Sequence, residues 1–290
     1  MTPVPKIASR FPRLDVGARA AAFLGALLFA HSAAEGALLK ATYEFNNSFS
    51  ADQGGAPSLT LVDPLGAGSF QTDTVLGQSH SVFRWAPGSG FATSTANETG
   101  LSLNTTGLVT QNNYSLEMVF SFDSDKPTFS RIIDVADRAS DSGLYVQGTS
   151  HLQAYPSTAG TGANTFTTPT PSSNFHHVAL TVASDNTVKG YLDGALDFNV
   201  STAAMNISNS ASLTMTFFLD NLSGGAGQEY ANGKIAQLQM YDGVLTAAEV
   251  STLAGSQLVP EPASVALIVA GASMLFGARR RVRRAAAGDS

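Results

Sequence analysis

The 290-residue sequence predicts an all-β antiparallel sandwich, framed by two short end segments that stand outside the fold. Three observations lead there. Short stretches of alternating apolar and polar residues recur between positions 38 and 241, separated by Gly, Asn, Asp and Ser. Helix-period patterns are almost absent over the same span. The two long uncharged runs sit at the ends of the chain and carry basic flanks, as targeting segments do.

At the start, Lys6, Arg10, Arg13 and Arg19 precede the apolar run Ala20 to Ala30. Ser32-Ala33-Ala34 then places small residues at the −3 and −1 positions of a cleavage site. Residues 1–34 therefore read as a secretory signal peptide cut after Ala34.

The body, 35–258, is long enough for one sizeable core. Leu38 to Phe45 reads as its first strand, alternating through Leu39, Ala41, Tyr43 and Phe45. Ser81 to Trp85 and Gly100 to Leu103 are weaker candidates. Tyr114 to Phe122 is strong, because Tyr114, Leu116, Met118, Phe120 and Phe122 fall on one face. Arg131 to Val135, Gly143 to Gln147 and His151 to Tyr155 follow. His176 to Ala183 alternates Val178, Leu180 and Val182. Thr187 to Leu192 and Ala195 to Val200 flank Asp193-Gly194, a hairpin-type turn. Leu213 to Leu219 and Lys234 to Tyr241 close the set. One short helix is expected after Leu245, with Thr246 as N-cap and Glu249 completing a capping box, ending before Gly255. Ten or more short strands with turns between them imply an antiparallel sandwich.

The tail, 259–290, reads Val259-Pro260-Glu261-Pro262, then the uncharged run Ala263 to Ala278, then Arg279, Arg280, Arg281, Arg283 and Arg284. As a helix that run covers about 24 Å, a minimal span for a hydrocarbon core of about 30 Å. Arginine side chains can snorkel and extend it, and the positive-inside rule holds them on the cytoplasmic side as a membrane stop. Pro260 and Pro262 keep the preceding segment extended. These features in this order resemble the PEP-CTERM sorting signal of Gram-negative bacteria. The resemblance implies that Pro260, Glu261 and Pro262 are recognition residues for an exosortase-type processing enzyme. It also implies export, anchoring through a C-terminal transmembrane helix, and transfer to the cell surface or extracellular matrix.

A second resemblance covers the body. Phe175-His176-His177-Val178-Ala179, Gly190-Tyr191-Leu192-Asp193-Gly194, Gly233 to Asp242 and Leu245 to Val250 resemble the laminin-G-like, concanavalin A-like jelly-roll domain. This implies a non-enzymatic module that binds carbohydrate, or a surface protein, through loops at the rim of the sandwich. A polysaccharide-active hydrolase on the same fold and a purely structural surface component remain open beside it.

Charge narrows the partners. Between positions 35 and 262, seven Lys and Arg stand against twenty Asp and Glu, a formal charge of −13, while the whole chain carries −6. An acidic exported body argues against nucleic acid as a partner. The absence of cysteine leaves the core without disulfides.

The chemistry-bearing residues are few. Retaining glycosidases place two carboxyl groups about 5–5.5 Å apart, yet Glu117 stands alone on its strand, opposite the aromatic face. Asp134 and Asp137 fall on opposite faces of an extended segment. No catalytic residue is assigned. Laminin-G-like domains frequently hold Ca²⁺ at the rim, and that ion wants several oxygen ligands on loops. Asp220, Asn221 and Glu229, around a glycine-rich loop, are the candidate ligands, and Asp137 and Asp141 lie on a second acidic loop. A solvated turn explains the same residues. His176 and His177 are adjacent on a strand and point to opposite faces, so they do not share a metal. Trp85 and Phe83 fit the core better than a sugar-stacking platform. The Thr-, Pro- and Gly-rich segment 158–173 reads as an exposed loop.

Overall fold

A computed structural model describes residues 36–86, 95–123, 128–148, 150–167, 174–222 and 229–256. The signal peptide with its cleavage at Ala34, and the tail from 259 with Pro260, Glu261, Pro262 and the arginines, lie outside the described residues. Among the described residues no helix is long and apolar enough to cross a membrane. The chain divides after Gly36, and the fold below belongs to the unit that begins at Ala37.

The described residues form fourteen strands and one α-helix. In chain order the strands are β1 (Leu38–Tyr43), β2 (Thr60–Val62), β3 (Ser69–Val75), β4 (Gln78–Trp85), β5 (Gly100–Asn104), β6 (Tyr114–Phe122) and β7 (Phe129–Asp134). They continue as β8 (Gly143–Gln147), β9 (His151–Tyr155), β10 (His176–Val182), β11 (Thr187–Leu192), β12 (Ala195–Ser201), β13 (Thr214–Phe217) and β14 (Gly233–Asp242). The helix, α1, spans Ala247–Gly255. The larger sheet runs β12-β11-β10-β6-β14-β4-β3, with β1 also pairing β14. The smaller runs β2-β5-β13-β7-β8-β9. Every strand pair is antiparallel.

The centre of the larger sheet is β6, paired to β10 on one side and β14 on the other. Its inward residues, from Tyr114 to Phe122 at every second position, meet Leu101, Leu103, Ile133, Leu144, Val146 and Phe217 of the smaller sheet. Trp85 belongs to this core: it stacks on Phe218 at 3.8 Å between centroids, and its indole N–H donates to the Ala231 carbonyl at 2.7 Å. Neither Trp85 nor Phe83 reaches solvent, so neither offers a sugar platform.

The segment after β9 is pinned down. Asp197 on β12 accepts from the backbone N–H groups of Leu152 (2.6 Å) and Gly162 (3.0 Å), and Phe166 is fully buried. Gly160 and Gly162 allow the close approach, since a Cβ on either would lie within 3 Å of Asp197. Residues 158–167, the described part of the segment expected as an exposed loop, are therefore largely surface-lying but tied to the sandwich, while 168–173 lie outside the described residues.

The outer face of the larger sheet is covered, which positions the site. All nine residues of β6 are buried, including outward Ser115, Glu117, Val119 and Ser121. On one side α1 does the covering: Leu245 and Val250 pack on Ala179, Tyr191 and Tyr241. Its capping box is present, and it runs through Gly255 where the sequence suggests an earlier end. On the other side the β3–β4 hairpin packs Val75 and Val82 against Val119, Ala236 and Phe175. Asp73 of that hairpin also pairs with Lys234 at 2.7 Å.

Candidate binding site

The expected calcium residues are brought together, around a cation that the chain supplies itself. Arg131, on β7, is fully buried. Its guanidinium lies 2.9 Å from Asp134, 3.5 Å from Glu229, 3.7 Å from Asp220 and 4.0 Å from Asp141. Two of its N–H groups donate to the Ser140 carbonyl at 3.2 Å, and the plane sits over the Tyr145 ring at 4.8 Å. The ligand atoms are further committed among themselves. Asp220 accepts from the backbone N–H of Asn221 (2.8 Å) and of Glu229 (3.2 Å), and the Asn221 amide donates to Asp141 at 2.5 Å. Asp137 lies apart and accepts from the Ser210 and Ser212 hydroxyls at 2.6 Å each.

Below this cluster a second arginine repeats the arrangement. Arg138 pairs with the buried Glu98 at 2.5 Å and donates through Nε to the Asp220 carbonyl. Glu98 also accepts from the Asp220 backbone N–H at 3.0 Å. Burial pushes the Glu98 carboxyl up to about 7, against the pull of Arg138. Burial raises Glu229 in the same direction.

A calcium ion needs several carboxylate or carbonyl oxygens free to converge on it. Here they converge on a guanidinium. Among the described residues no group of three or more His, Asp or Glu side chains is arranged to hold a metal. Asp220, Asn221 and Glu229 thus share their surroundings with Arg131, and residues 223–228 of the glycine-rich loop between them lie outside the described residues. No sequence pattern announced this. Arg131 stands 89 positions from Asp220 along the chain, and only the sheet brings them together.

A different place has the features of a binding pocket. A cavity of about 480 Å³ opens between the two covers of the outer face. One wall is the β3–β4 turn, with Thr74, Leu76 and Gly77. Opposite stand Asp193, in the β11–β12 turn, and Ala254, near the end of α1. The floor is the entry to β10, from Asn174 to His177. The turn needs residues in the left-handed region at Asp193 (φ 50°) and Gly194 (φ 80°). A Cβ on Gly194 would stand 3.0 Å from the Ala254 methyl, so glycine lets the helix end approach the turn.

Strand alternation separates the two histidines, as the sequence suggests. His176 turns inward, with its ring 4.5 Å from Phe166, and its Nδ1 lies 2.8 Å from Asp193. The other Asp193 oxygen accepts from the backbone N–H of His177 at 2.9 Å. His177 turns outward onto Glu117 of β6, Nε2 to Oε1 at 3.3 Å. That pair lacks the alignment of a hydrogen bond: both ring nitrogens of His177 and Oε1 of Glu117 are buried without a hydrogen-bond partner among the described residues. Behind them Tyr241 donates to Gln239 at 2.9 Å and reaches Glu117 Oε2 at 3.4 Å. The Glu117–His177 pairing follows from a register that sets Ala179 opposite Glu117 and His177 opposite Val119. It could not be read from either strand alone.

Two stacked antiparallel sheets with one covered outer face and a pocket at its end define a jelly-roll module of the lectin-like kind. A laminin G family model, described as the concanavalin A-like lectin/glucanases superfamily, matches residues 95–251. The chain belongs to that family. Solved structures share the fold at low identity. A chain of botulinum neurotoxin type C, whose cell entry depends on interaction with two ganglioside molecules, has a TM-score of 0.50 at 14% identity, covering 77% of this chain and 52% of the toxin chain. The binding domain of botulinum neurotoxin serotype D/C gives 0.50 and 14%, covering 76% and 52%. Domain 4 of AbnA, an extracellular arabinanase of Geobacillus stearothermophilus in complex with arabinotriose, gives 0.48 and 18%, covering 76% and 100%. The chain thus spans about half the length of the neurotoxin chains it matches. No curated protein matches it by sequence.

Proposed function

We propose that this chain is an exported, non-enzymatic binding protein of the bacterial cell surface or extracellular matrix, whose jelly-roll domain binds carbohydrate. The observation that carries the reading is the outer-face pocket, in a chain that belongs to the lectin and glucanase superfamily. Its 480 Å³ falls in the size range of small-ligand sites, and its lining mixes Leu76, Phe175 and Ala254 with the polar Asn174, His176, His177 and Asp193. Binding fits these groups better than hydrolysis. A glycosidase needs two carboxyl groups flanking the scissile bond. Here Glu117 lies beneath His177, while Asp193 is held by His176 and the His177 backbone. Ca²⁺ has no part in the reading, because Arg131 fills the cluster expected to bind it.

The address comes from the chain ends. Export follows the signal peptide cut after Ala34, and the span Ala263 to Ala278 with Arg279 to Arg284 anchors the chain in the membrane before processing. An exosortase-type enzyme recognises Pro260, Glu261 and Pro262. Replacing those three residues by alanine is expected to leave the tail attached, as intact mass of the mature chain would reveal. Normal tail removal in that variant removes the sorting reading. For the ligand, a glycan array probed with the full-length chain, with Ca²⁺ and with a chelator, is expected to show selective binding equal in both arms. Binding that vanishes in chelator would return the ion to the site.

A further inference from the structure

We infer that the pocket between the β3–β4 turn and the end of α1 seats a neutral sugar residue, held by His177 with Glu117 behind it. This rests on the carbohydrate-binding reading above and gives it a place and a charge preference.

The first ground is the unmet hydrogen bonding. His177 lines the pocket, is 5% exposed, and both its ring nitrogens lack a partner among the described residues. Glu117, 4% exposed, faces it as a pair, Oε1 to Nε2 at 3.3 Å, without the alignment of a hydrogen bond. Buried polar atoms are nearly always satisfied, so His177 Nδ1, with neither a hydrogen bond nor an ion-pair contact among the described residues, points to a group that arrives with the ligand. That group must answer an imidazole nitrogen in either tautomer. A hydroxyl, donor and acceptor at once, does so, and a sugar carries several.

The second ground is charge. Among the described residues no Lys or Arg lines the pocket, and the ionisable groups at it are the Asp193 carboxylate, the imidazoles of His176 and His177 and, behind the floor, the carboxylate of Glu117. Phosphate, sulfate, uronate and sialate would meet like charge here with no guanidinium or ammonium to offset it. A neutral sugar meets no such penalty.

The third ground is the apolar wall. Leu76 at the mouth, 43% exposed, offers carbon surface to the C–H face of a pyranose, with the largely buried Phe175 on the floor.

The test uses the full-length chain and three proteins: wild type, His177→Ala and Leu76→Arg. Probes are methyl glycosides of glucose, galactose, mannose and N-acetylglucosamine, with methyl glucuronoside and sialyllactose as anionic counterparts, titrated by calorimetry alongside the glycan array. The wild type is expected to bind at least one neutral probe and to prefer it to the anionic ones. His177→Ala is expected to weaken that binding about tenfold or more, through loss of the buried hydrogen-bonding group. Leu76→Arg, on an exposed turn, is expected to block the mouth with the melting temperature unchanged; should His177→Ala fail to fold, this variant decides. Neutral-sugar binding that survives both substitutions overturns the site and leaves the carbohydrate reading standing. Binding confined to sialylated or uronate probes overturns the charge assignment. No glycan binding by the wild type overturns this inference together with the carbohydrate reading.

Discussion

Five carboxylates, Glu98, Asp134, Asp141, Asp220 and Glu229, crowd around Arg131 and Arg138 at one place in the sandwich. Elsewhere two, Glu117 and Asp193, stand beside a pair of histidines. The first group is richer in acidic oxygens and looks, in the sequence, more like a ligand site. Most of its charge is nevertheless answered from inside: the guanidinium of Arg131 gives hydrogen bonds to Asp134, Ser140 and Glu229, while Arg131 Nε and Glu98 Oε1 have no hydrogen-bond partner among the described residues. The second group is poorer in charge, yet His177 and Glu117 keep three buried polar atoms without partners. An unmet buried polar group costs more than a met one contributes, and the poorer site sets such atoms, through His177, in the lining of a cavity. Counting acidic residues in a loop does not find such a site. Asking which buried atoms without partners line a cavity does.

The largest expected effect tests whether the arginine cluster is structural. Arg131→Met leaves Asp134 and Asp220 buried without their cation, and breaking one partner out of a buried pair costs about 3–5 kcal/mol. Thermal unfolding of the variant is expected to show that loss, with added Ca²⁺ giving no recovery. A variant as stable as wild type, or one restored by millimolar Ca²⁺, would mean that the carboxylates can recruit an outside ion. The two regions would then no longer differ in kind.

The sandwich was largely legible in the sequence, and its failures share a cause. Tyr114–Phe122, Gly143–Gln147, His151–Tyr155 and Thr187–Leu192 coincide with predicted strands, because alternation on a half-buried surface is a strong local signal. Thr60–Val62 and Ser69–Val75 were not anticipated. The first is three residues long and the second is a polar edge strand that leaves Ser69 and Asp73 at or near the surface, so neither writes a hydrophobic period. The capping box at Thr246 and Glu249 and the Asp193-Gly194 turn were visible for the same reason as the strong strands: their chemistry lies within a few residues. The sites were not visible. Arg131 with Glu229, and Glu117 with His177, are each set by pairings across the sheet between segments 60 or more positions apart. The loop composition at Asp220 to Glu229 pointed to a real cluster of charge but could not show which cation would fill it.

A second prediction sharpens the comparison through pH. Burial raises the Glu98 carboxyl from 4.5 to about 7 in the folded chain. Between those values the folded state holds a proton that the unfolded state has released. Stability from this group is therefore greatest below pH 4.5, declines as pH rises toward 7, and levels off above it. Glu98→Gln is expected to flatten that part of the profile, measured by denaturant unfolding at pH 5 and at pH 8. Parallel profiles for wild type and variant would show that Arg138 holds Glu98 ionised throughout, and that the cluster stores no unmet charge at all.

The smallest expected effect has the opposite sign and separates the two regions most sharply. Replacing a buried ionisable pair by apolar residues of similar volume is often neutral or stabilising by about 1–4 kcal/mol. Glu117→Met with His177→Leu does this on the outer face, where Tyr241 retains its hydrogen bond to Gln239. The double variant is expected to gain about 1 kcal/mol, the lower end of that range, and to lose sugar binding. Arg131→Met moves the other way in stability. A protein that keeps a pair at the expense of stability, beside a pocket, keeps it for what the pocket does. Should the double variant be less stable than wild type by as much as Arg131→Met, the Glu117–His177 pair would be part of the framework that holds β6 to β10, and the exposed mouth at Leu76 would have to find its meaning elsewhere.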